Sequence, residues 1–119
     1  MQGRRLEVPR QAGPVAWFDF EELCARPLGA ADYMAIATHY PVVLIDRVPE
    51  LSANERDQAR RFMTLIDELY EHRVTLVIAA DALAERLYPY GEGAIEFQRT
   101  VSRLNEMQSV DYLSRPHLT

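Results

Sequence analysis

The sequence contains no lysine, because all 13 of its basic residues are arginine. Three kinds of site are thereby excluded: a Walker A phosphate-binding loop, a Schiff-base lysine and a lysine general base. A Walker A loop also needs a glycine-rich turn ahead of its lysine. The closest glycine pair, in Gly91-Glu92-Gly93, follows aromatic residues and proline and has no lysine after it. The chain alone is therefore not a self-sufficient ATPase of the P-loop kind.

Cysteine is scarce, and long apolar runs and a positive net charge are absent. The single cysteine, Cys24, has no internal disulfide partner, which is typical of a reducing compartment. No apolar run approaches the roughly 20 residues that cross a bilayer, and residues 1–5 are not followed by the apolar stretch of a signal peptide. The net charge of -5 disfavours a general nucleic-acid binder. We therefore expect a cytoplasmic protein with no transmembrane segment and no nucleic-acid partner.

The first part of the chain predicts a β-hairpin. Residues 5–10 and 15–20 have the composition of strands, and Gly13-Pro14 between them marks a turn. The turn is looser than a two-residue hairpin loop, so the sequence leaves the register of the hairpin open.

Two buried strands with a helix between them follow. The apolar runs at residues 42–46 and 74–80 are typical of strands that are buried on both faces. Between them, residues 52–55 form a capping box, and apolar residues then recur at helical spacing as far as about His72. Strand, crossover helix and strand predict a right-handed βαβ unit with a parallel strand pair.

The other segments complete a single predicted domain. Residues 30–40 and 96–107 carry apolar side chains at helical spacing, residues 110–113 read as a final short strand, and residues 114–119 read as a flexible tail. The sequence therefore predicts an α/β fold, a three-layer fragment with a parallel βαβ unit, an N-terminal β-hairpin and a C-terminal helix. Its length fits one domain over residues 1–119.

Five ordered segments are specific enough to be compared with a known family. They are WFDFEELC at residues 17–24, PLGAADY at 27–33, VPEL at 48–51, ARRFMTLIDELY at 59–70 and RTVSRLNEM at 99–107. Together they resemble the C-terminal third of the ZapE (AFG1-like) family of AAA+ type ATPases, and the likeness runs from about residue 5 to residue 113.

This resemblance implies that the chain is the C-terminal regulatory or interaction domain of a larger ATPase involved in bacterial cell division, and is not active alone. In that family the phosphate-binding loop and the Walker B acids lie upstream, so ATP and Mg²⁺ would bind in the parent protein and this chain would hold no cofactor. The implied partners are the upstream ATPase domain and the division-ring protein FtsZ, at the division site. The alternative is a stand-alone protein–protein interaction module without nucleotide chemistry.

Arg99 and Arg103 are the candidate phosphate-sensing residues. They stand four residues apart on a predicted helix and so project to the same side. The resemblance places them after a strand similar to the sensor strand of an AAA+ core, where such ATPases commonly carry an arginine that reaches the γ-phosphate. A guanidinium there neutralises charge on the transferred phosphoryl group. Alternatively, both arginines pair with Glu96 and Glu106 or cap neighbouring loops.

Asp46 resembles the Walker B aspartate, which ends an apolar strand and holds Mg²⁺. It is followed by Arg47 rather than by a second carboxylate, and it has no phosphate-binding loop as a partner in this chain. The preferred interpretation is therefore structural: a carboxylate at the sheet edge, or one that pairs with Arg47.

Arg56, Arg60 and Arg61 form a basic strip on the long predicted helix. One interpretation is a solvated face balanced by neighbouring acids. The other is an interaction face for an acidic partner or for the upstream ATPase core.

The aromatic residues of the second strand predict a further contact surface. Trp17, Phe18 and Phe20 belong mostly to the core, yet alternation along a strand turns one of them outward, where it could contact a partner. A fragment of a larger sheet also exposes an edge and an apolar face, so self-association is expected.

Cysteine and histidine residues do not predict a metal site. Cys24 and the three histidines are too dispersed for zinc, which takes closely spaced ligand pairs from the chain. A small hydrolase with Cys24 as its nucleophile is the third function considered, and no motif supports it.

Overall fold

The computed structural model describes residues 10–119, which form a four-stranded sheet with helices packed against it. The strands are β1 (Arg10–Ala12), β2 (Val15–Asp19), β3 (Val42–Val48) and β4 (Thr75–Ala80), in that order across the sheet. The α-helices of this part are α1 (Phe20–Cys24), α2 (Ala30–His39), α3 (Arg56–Glu71), α4 (Ala94–Glu106) and α5 (Val110–Leu113), with 3-10 turns at Ala53–Glu55 and Ala84–Arg86. None of these described helices is long and apolar enough to span a membrane. The predicted α/β class is confirmed.

β1 and β2 form the predicted hairpin and pair antiparallel. Gly13 in the turn has a φ of +57°, a left-handed conformation that glycine adopts without a steric penalty. The strand predicted at residues 15–20 ends one residue earlier, because Phe20 is the first residue of α1. The strand predicted at residues 5–10 lies outside the described residues except for Arg10.

The predicted βαβ unit is present, since β3 and β4 are parallel neighbours and α3 connects them. β2 also pairs parallel with β3. β3 continues past its predicted end at Asp46 to Val48, through a bulge at which its register against β4 shifts. Arg47 in this bulge has a φ of +58°, which a residue with a side chain rarely adopts.

Helices α1 to α4 pack on one face of the sheet. The strands β2, β3 and β4 step across the sheet in one direction, and right-handed crossovers between such strands place every connecting helix on the same side. The side chains that point to this side are buried in the core, among them Ala16, Phe18, Val43 and Ile45. The described residues thus form two layers, the sheet and the helices on one of its faces, and the predicted third layer stays a prediction.

The long helix α3 is the centre of the helical layer. The predicted capping box is formed, with the Ser52 amide donating to the Glu55 carboxylate at 2.8 Å, and it starts a 3-10 turn that leads into the helix. The helix ends at Glu71, next to the predicted end at His72. Its buried face consists of Ala59, Phe62, Leu65, Ile66 and Leu69.

The prediction of a final strand at residues 110–113 is wrong, because these residues form the short helix α5. The Ser109 hydroxyl caps this helix by accepting from the Tyr112 amide at 3.1 Å. The Tyr112 hydroxyl in turn donates to the carbonyl oxygen of Val74 at 2.6 Å, which fixes α5 against the start of β4. The serine cap and the hydrogen bond of the buried tyrosine therefore outweigh the strand propensity of this segment.

The tail after α5 makes two contacts with the rest of the described chain. The Leu118 amide donates to the His72 carbonyl at 2.9 Å, and a ring nitrogen of His117 lies 2.6 Å from the Ala37 carbonyl oxygen. That residues 114–119 are a flexible tail stays a prediction.

Tyr112→Phe is expected to make the loss of stability at alkaline pH less steep. Burial, with a contribution from the nearby Tyr70 and Glu106, raises the pKa of Tyr112 from 10.0 to about 12, because a buried phenolate loses its hydration. A raised pKa in the folded state gives stability that is complete below about pH 10 and lost between about pH 10 and 12, where only the unfolded chain releases the proton. Urea unfolding followed by circular dichroism from pH 8 to 12 measures this slope.

Tyr90→Phe is the matched control, since Tyr90 is 79% exposed. It should leave the pH slope of the unfolding free energy unchanged. At neutral pH, Tyr112→Phe should cost about 1 kcal/mol for the lost hydrogen bond. Equal slopes in the two variants would contradict the assignment of the alkaline transition to Tyr112.

Candidate functional site

The two candidate phosphate-sensing arginines converge on one carboxylate of the long helix. Arg99 Nη2 lies 2.9 Å from Asp67 Oδ2, and Arg103 Nη1 forms an ion pair with the other oxygen of the same carboxylate. α4 positions both side chains because residues four apart lie on one helix face, and that face meets α3. Among the described residues, the partner is therefore Asp67 rather than Glu96 or Glu106. The site, called here the Asp67 cluster, consists of Asp67, Arg99 and Arg103.

Arg103 is held on two sides within the Asp67 cluster. Its guanidinium lies over the Tyr70 ring, 4.8 Å from the centroid, in addition to its ion pair with Asp67. Tyr70 is itself fixed, because its hydroxyl donates to Glu106 at 2.8 Å and its ring stacks on Tyr112 at 5.9 Å. The hydrogen bond to the Glu106 carboxylate, more than burial, raises the pKa of Tyr70. These contacts make Arg103 a structural link between α3, α4 and α5.

Arg99 is the accessible member of the Asp67 cluster. Its side chain is 61% exposed, and its one ion pair in the described part of the chain is the contact with Asp67. Exposed ion pairs of this kind contribute less than about 1 kcal/mol, so Arg99 can exchange partners at little cost. Within the cluster two guanidinium groups share one carboxylate, and the Glu106 carboxylate lies beside them on the Tyr70 hydroxyl. The arrangement can therefore receive an anionic group through Arg99 while Arg103 stays in place.

Asp46 lies apart from this cluster. It belongs to the bulge in β3, where its carboxylate accepts a hydrogen bond from the amide of Arg47 at 2.8 Å. No hydrogen bond or ion pair within residues 10–119 joins it to Arg99 or Arg103. A Walker-B-like function of Asp46 stays a prediction, and the contact with Arg47 has the local, structural character of its alternative.

The basic strip on α3 is divided among different partners. Arg56 forms an ion pair with Glu92 at 2.8 Å, and Arg61 donates to the Cys24 carbonyl at 3.0 Å. The side chain of Arg60 has no hydrogen bond or ion pair within the part of the chain that the structure describes, while its carbonyl oxygen accepts from the Thr64 hydroxyl at 3.1 Å. It lines a cavity of about 340 Å³ together with Leu28 and other residues. Of the three arginines, Arg60 is therefore the one left available to a partner.

Cys24 lies fully buried at the end of α1. Burial raises the pKa of its thiol far above the ordinary value, and the charge of Arg61 offsets only part of that effect. A thiol in this setting stays protonated and inert. No group of three or more potential metal ligands is brought together within the described residues.

Sequence reasoning missed two features of this region. No pattern in the sequence singles out Asp67, which lies at the centre of the arginine cluster. Helix-to-helix pairing of this kind leaves no short sequence signal, because Asp67 and Arg99 are 32 positions apart. The bulge at Arg47 was missed as well, because arginine is not a residue type that indicates a left-handed conformation.

Fold and site together define an α/β domain that carries an arginine–aspartate cluster and has no phosphate-binding loop in its sequence. A family model described as AFG1-like ATPase matches residues 1–116. The chain belongs to this family.

Several curated proteins resemble the chain over most of its length. It is 38% identical to "Lactation elevated protein 1 homolog B" of Danio rerio, over 94% of this chain and 29% of that protein. It is 39% identical to "Cell division protein ZapE" of Escherichia coli K12, over 83% of this chain and 26% of that protein. The chain therefore spans less than a third of the length of these relatives. No solved structure matches it.

Proposed function

We propose that this chain is the C-terminal regulatory and interaction part of a longer AFG1-like ATPase of the cell-division type. The proposal rests on one comparison: the chain matches an ATPase family, but it lacks the motif with which such ATPases bind ATP. The chain matches the family along almost all its residues, yet it spans only 26% to 29% of two relatives and contains no lysine for a Walker A loop. ATP and Mg²⁺ then bind in the upstream part of the parent protein, and this chain alone hydrolyses no ATP.

The 119-residue chain is expected to bind no ATP in the presence of Mg²⁺. Without a glycine-rich loop and its lysine, the backbone has no cradle for the triphosphate, and the exposed Arg99 alone supplies one weak contact. Isothermal titration calorimetry of the chain with ATP and Mg²⁺ should show no saturable heat below millimolar ATP. The longer protein, titrated in the same way, is the positive control. Micromolar affinity of the 119-residue chain would overturn the proposal.

Within the parent protein, the Asp67 cluster is proposed as the phosphate-sensing element. The support is the exposure of Arg99 and its exposed ion pair with Asp67, which allow this guanidinium to turn toward a γ-phosphate that a neighbouring domain or subunit holds. Asp67 keeps the guanidinium oriented while no phosphate is present. When phosphate binds, it competes with Asp67 for Arg99, and the position of α4 then reports the state of the nucleotide.

The stand-alone interaction module remains the second candidate, and Arg60 is the observation that favours it. This side chain has no hydrogen-bond or ion-pair partner among the described residues and lines a cavity, so it offers a point of attachment for an acidic group. In this proposal the protein acts in the cytoplasm at the division site, where it recruits a division-ring protein such as FtsZ. ATP turnover that persists while recruitment is lost on mutation of Arg60 would favour the module.

A further inference from the structure

The sheet face opposite the helices carries a continuous apolar row. Trp17 of β2, Leu44 of β3 and Val77 of β4 are direct neighbours in register across three strands. Because side chains alternate along a strand, all three point away from the face that contains Phe18 and Ile45. Trp17 is 41% exposed and Val77 is 51% exposed. This row is called here the open face.

An open face of this kind is unusual for parallel strands. Antiparallel sheets often leave one side to water, whereas parallel sheets occur almost only with both faces covered. The helices that connect β2, β3 and β4 all lie on the other face, because the three strands follow one another in the same direction across the sheet. The described part of this chain therefore has no crossover helix for the open face.

The edge of the open face is charged where it meets the hairpin. The Arg10 guanidinium lies 4.8 Å from the centre of the Trp17 ring, and it also reaches Asp19 at 3.6 Å and Glu22 at 3.2 Å. An apolar centre with a polar rim is the pattern of a surface that another structural element covers. The row is three strands wide, which fits an amphipathic helix laid across it.

We propose that the open face is covered by a segment of the same polypeptide that lies outside residues 1–119, packed as the third layer of the fold. This inference rests on the proposed function in one respect, namely that the chain is part of a longer protein. The relatives offer ample length, because about 70% of each lies outside the matched region. A segment in the same polypeptide is present at an effective concentration in the millimolar range, which favours it over a second copy of the chain.

Hydroxyl-radical footprinting with mass spectrometry tests this proposal at single residues. Trp17 is the only tryptophan of the 119 residues, so its oxidation is read without overlap within this chain. In the isolated chain Trp17 should oxidise readily; in the longer protein its rate should fall at least about fivefold, as for a residue that becomes buried. Tyr90, 79% exposed, serves as the exposed reference, and the fully buried Phe62 serves as the protected one.

Each outcome of the footprinting supports or contradicts the proposed covering of the open face. Equal Trp17 oxidation in the two proteins would overturn the proposal. If Trp17 is already protected in the isolated chain, and the protection increases with protein concentration, a second copy of the chain covers the open face instead. ATP turnover tests the proposed function separately. A longer protein that protects Trp17 but hydrolyses no ATP would support this inference and contradict the proposed function.

A pair of variants provides an independent measurement. Val77→Asp places a charge in the middle of the open face, at a position that is half exposed in the isolated chain. It should change the melting temperature of the isolated chain little, lower that of the longer protein, and restore Trp17 oxidation there. Ile95→Asp on α4, at an 84% exposed position, is the matched control and should leave both proteins unchanged. A Val77→Asp longer protein with full Trp17 protection would contradict the proposal.

Discussion

Phe62→Ala is expected to lower the free energy of unfolding of the chain by about 3–5 kcal/mol. Phe62 is fully buried on α3, and its ring lies 5.8 Å from that of Phe20 on α1 and 6.1 Å from that of Phe97 on α4. Truncation therefore removes the contact of three helices at one point and leaves a cavity that rigid neighbours fill only in part. Urea unfolding followed by far-ultraviolet circular dichroism measures the loss.

Met63→Ala is the control for Phe62→Ala. Met63 is the next residue of the same helix and is only partly buried, so its truncation to alanine leaves a much smaller cavity. We expect its cost to be about 1 kcal/mol. Because a domain has a total stability of about 5–15 kcal/mol, the loss in the Phe62 variant is a large fraction of the whole. Similar losses in the two variants would show that Phe62 does not hold the helices together.

Much of the fold could be predicted because local chemistry and tertiary structure agree. The capping box at residues 52–55, the apolar face of α3 and the two apolar runs each indicate one structure, and each is observed. At residues 110–113 they disagree. The composition favours a strand, but the Ser109 cap and the hydrogen bond of Tyr112 to Val74 make a helix. The second contact joins residues 38 positions apart, and a local pattern does not contain it.

The candidate site was predictable only in part, for a similar reason. That Arg99 and Arg103 share a helix face follows from their spacing. That Asp67 joins them depends on how α3 and α4 pack. The apolar faces of the two helices indicate which sides meet, but they do not determine the angle at which the helices cross. The packing of α3 and α4 also makes Arg99 exposed, at 61%, and Arg103 only partly exposed, at 23%, although the two arginines look equivalent in the sequence.

Arg99→Ala in the longer protein is expected to lower ATP turnover by about 10³-fold, the lower end of the effect of an arginine that neutralises a transferred phosphoryl group. The melting temperature should stay within about 2 °C, since the ion pair of Arg99 with Asp67 is exposed. Steady-state phosphate release and thermal unfolding measure the two quantities. Arg103→Ala should lower both, because this arginine also stacks on Tyr70 and links α4 to α3.

Arg56→Ala separates phosphate sensing from a general effect of charge. Arg56 matches Arg99 closely, with 58% exposure against 61% and an ion pair of 2.8 Å against 2.9 Å, but its partner is Glu92 and it lies outside the Asp67 cluster. Turnover should therefore be unchanged in the Arg56 variant. Equal losses in both variants would indicate that the basic surface acts as a whole. If neither variant loses turnover, the Asp67 cluster serves the packing of α4 on α3 rather than the recognition of nucleotide.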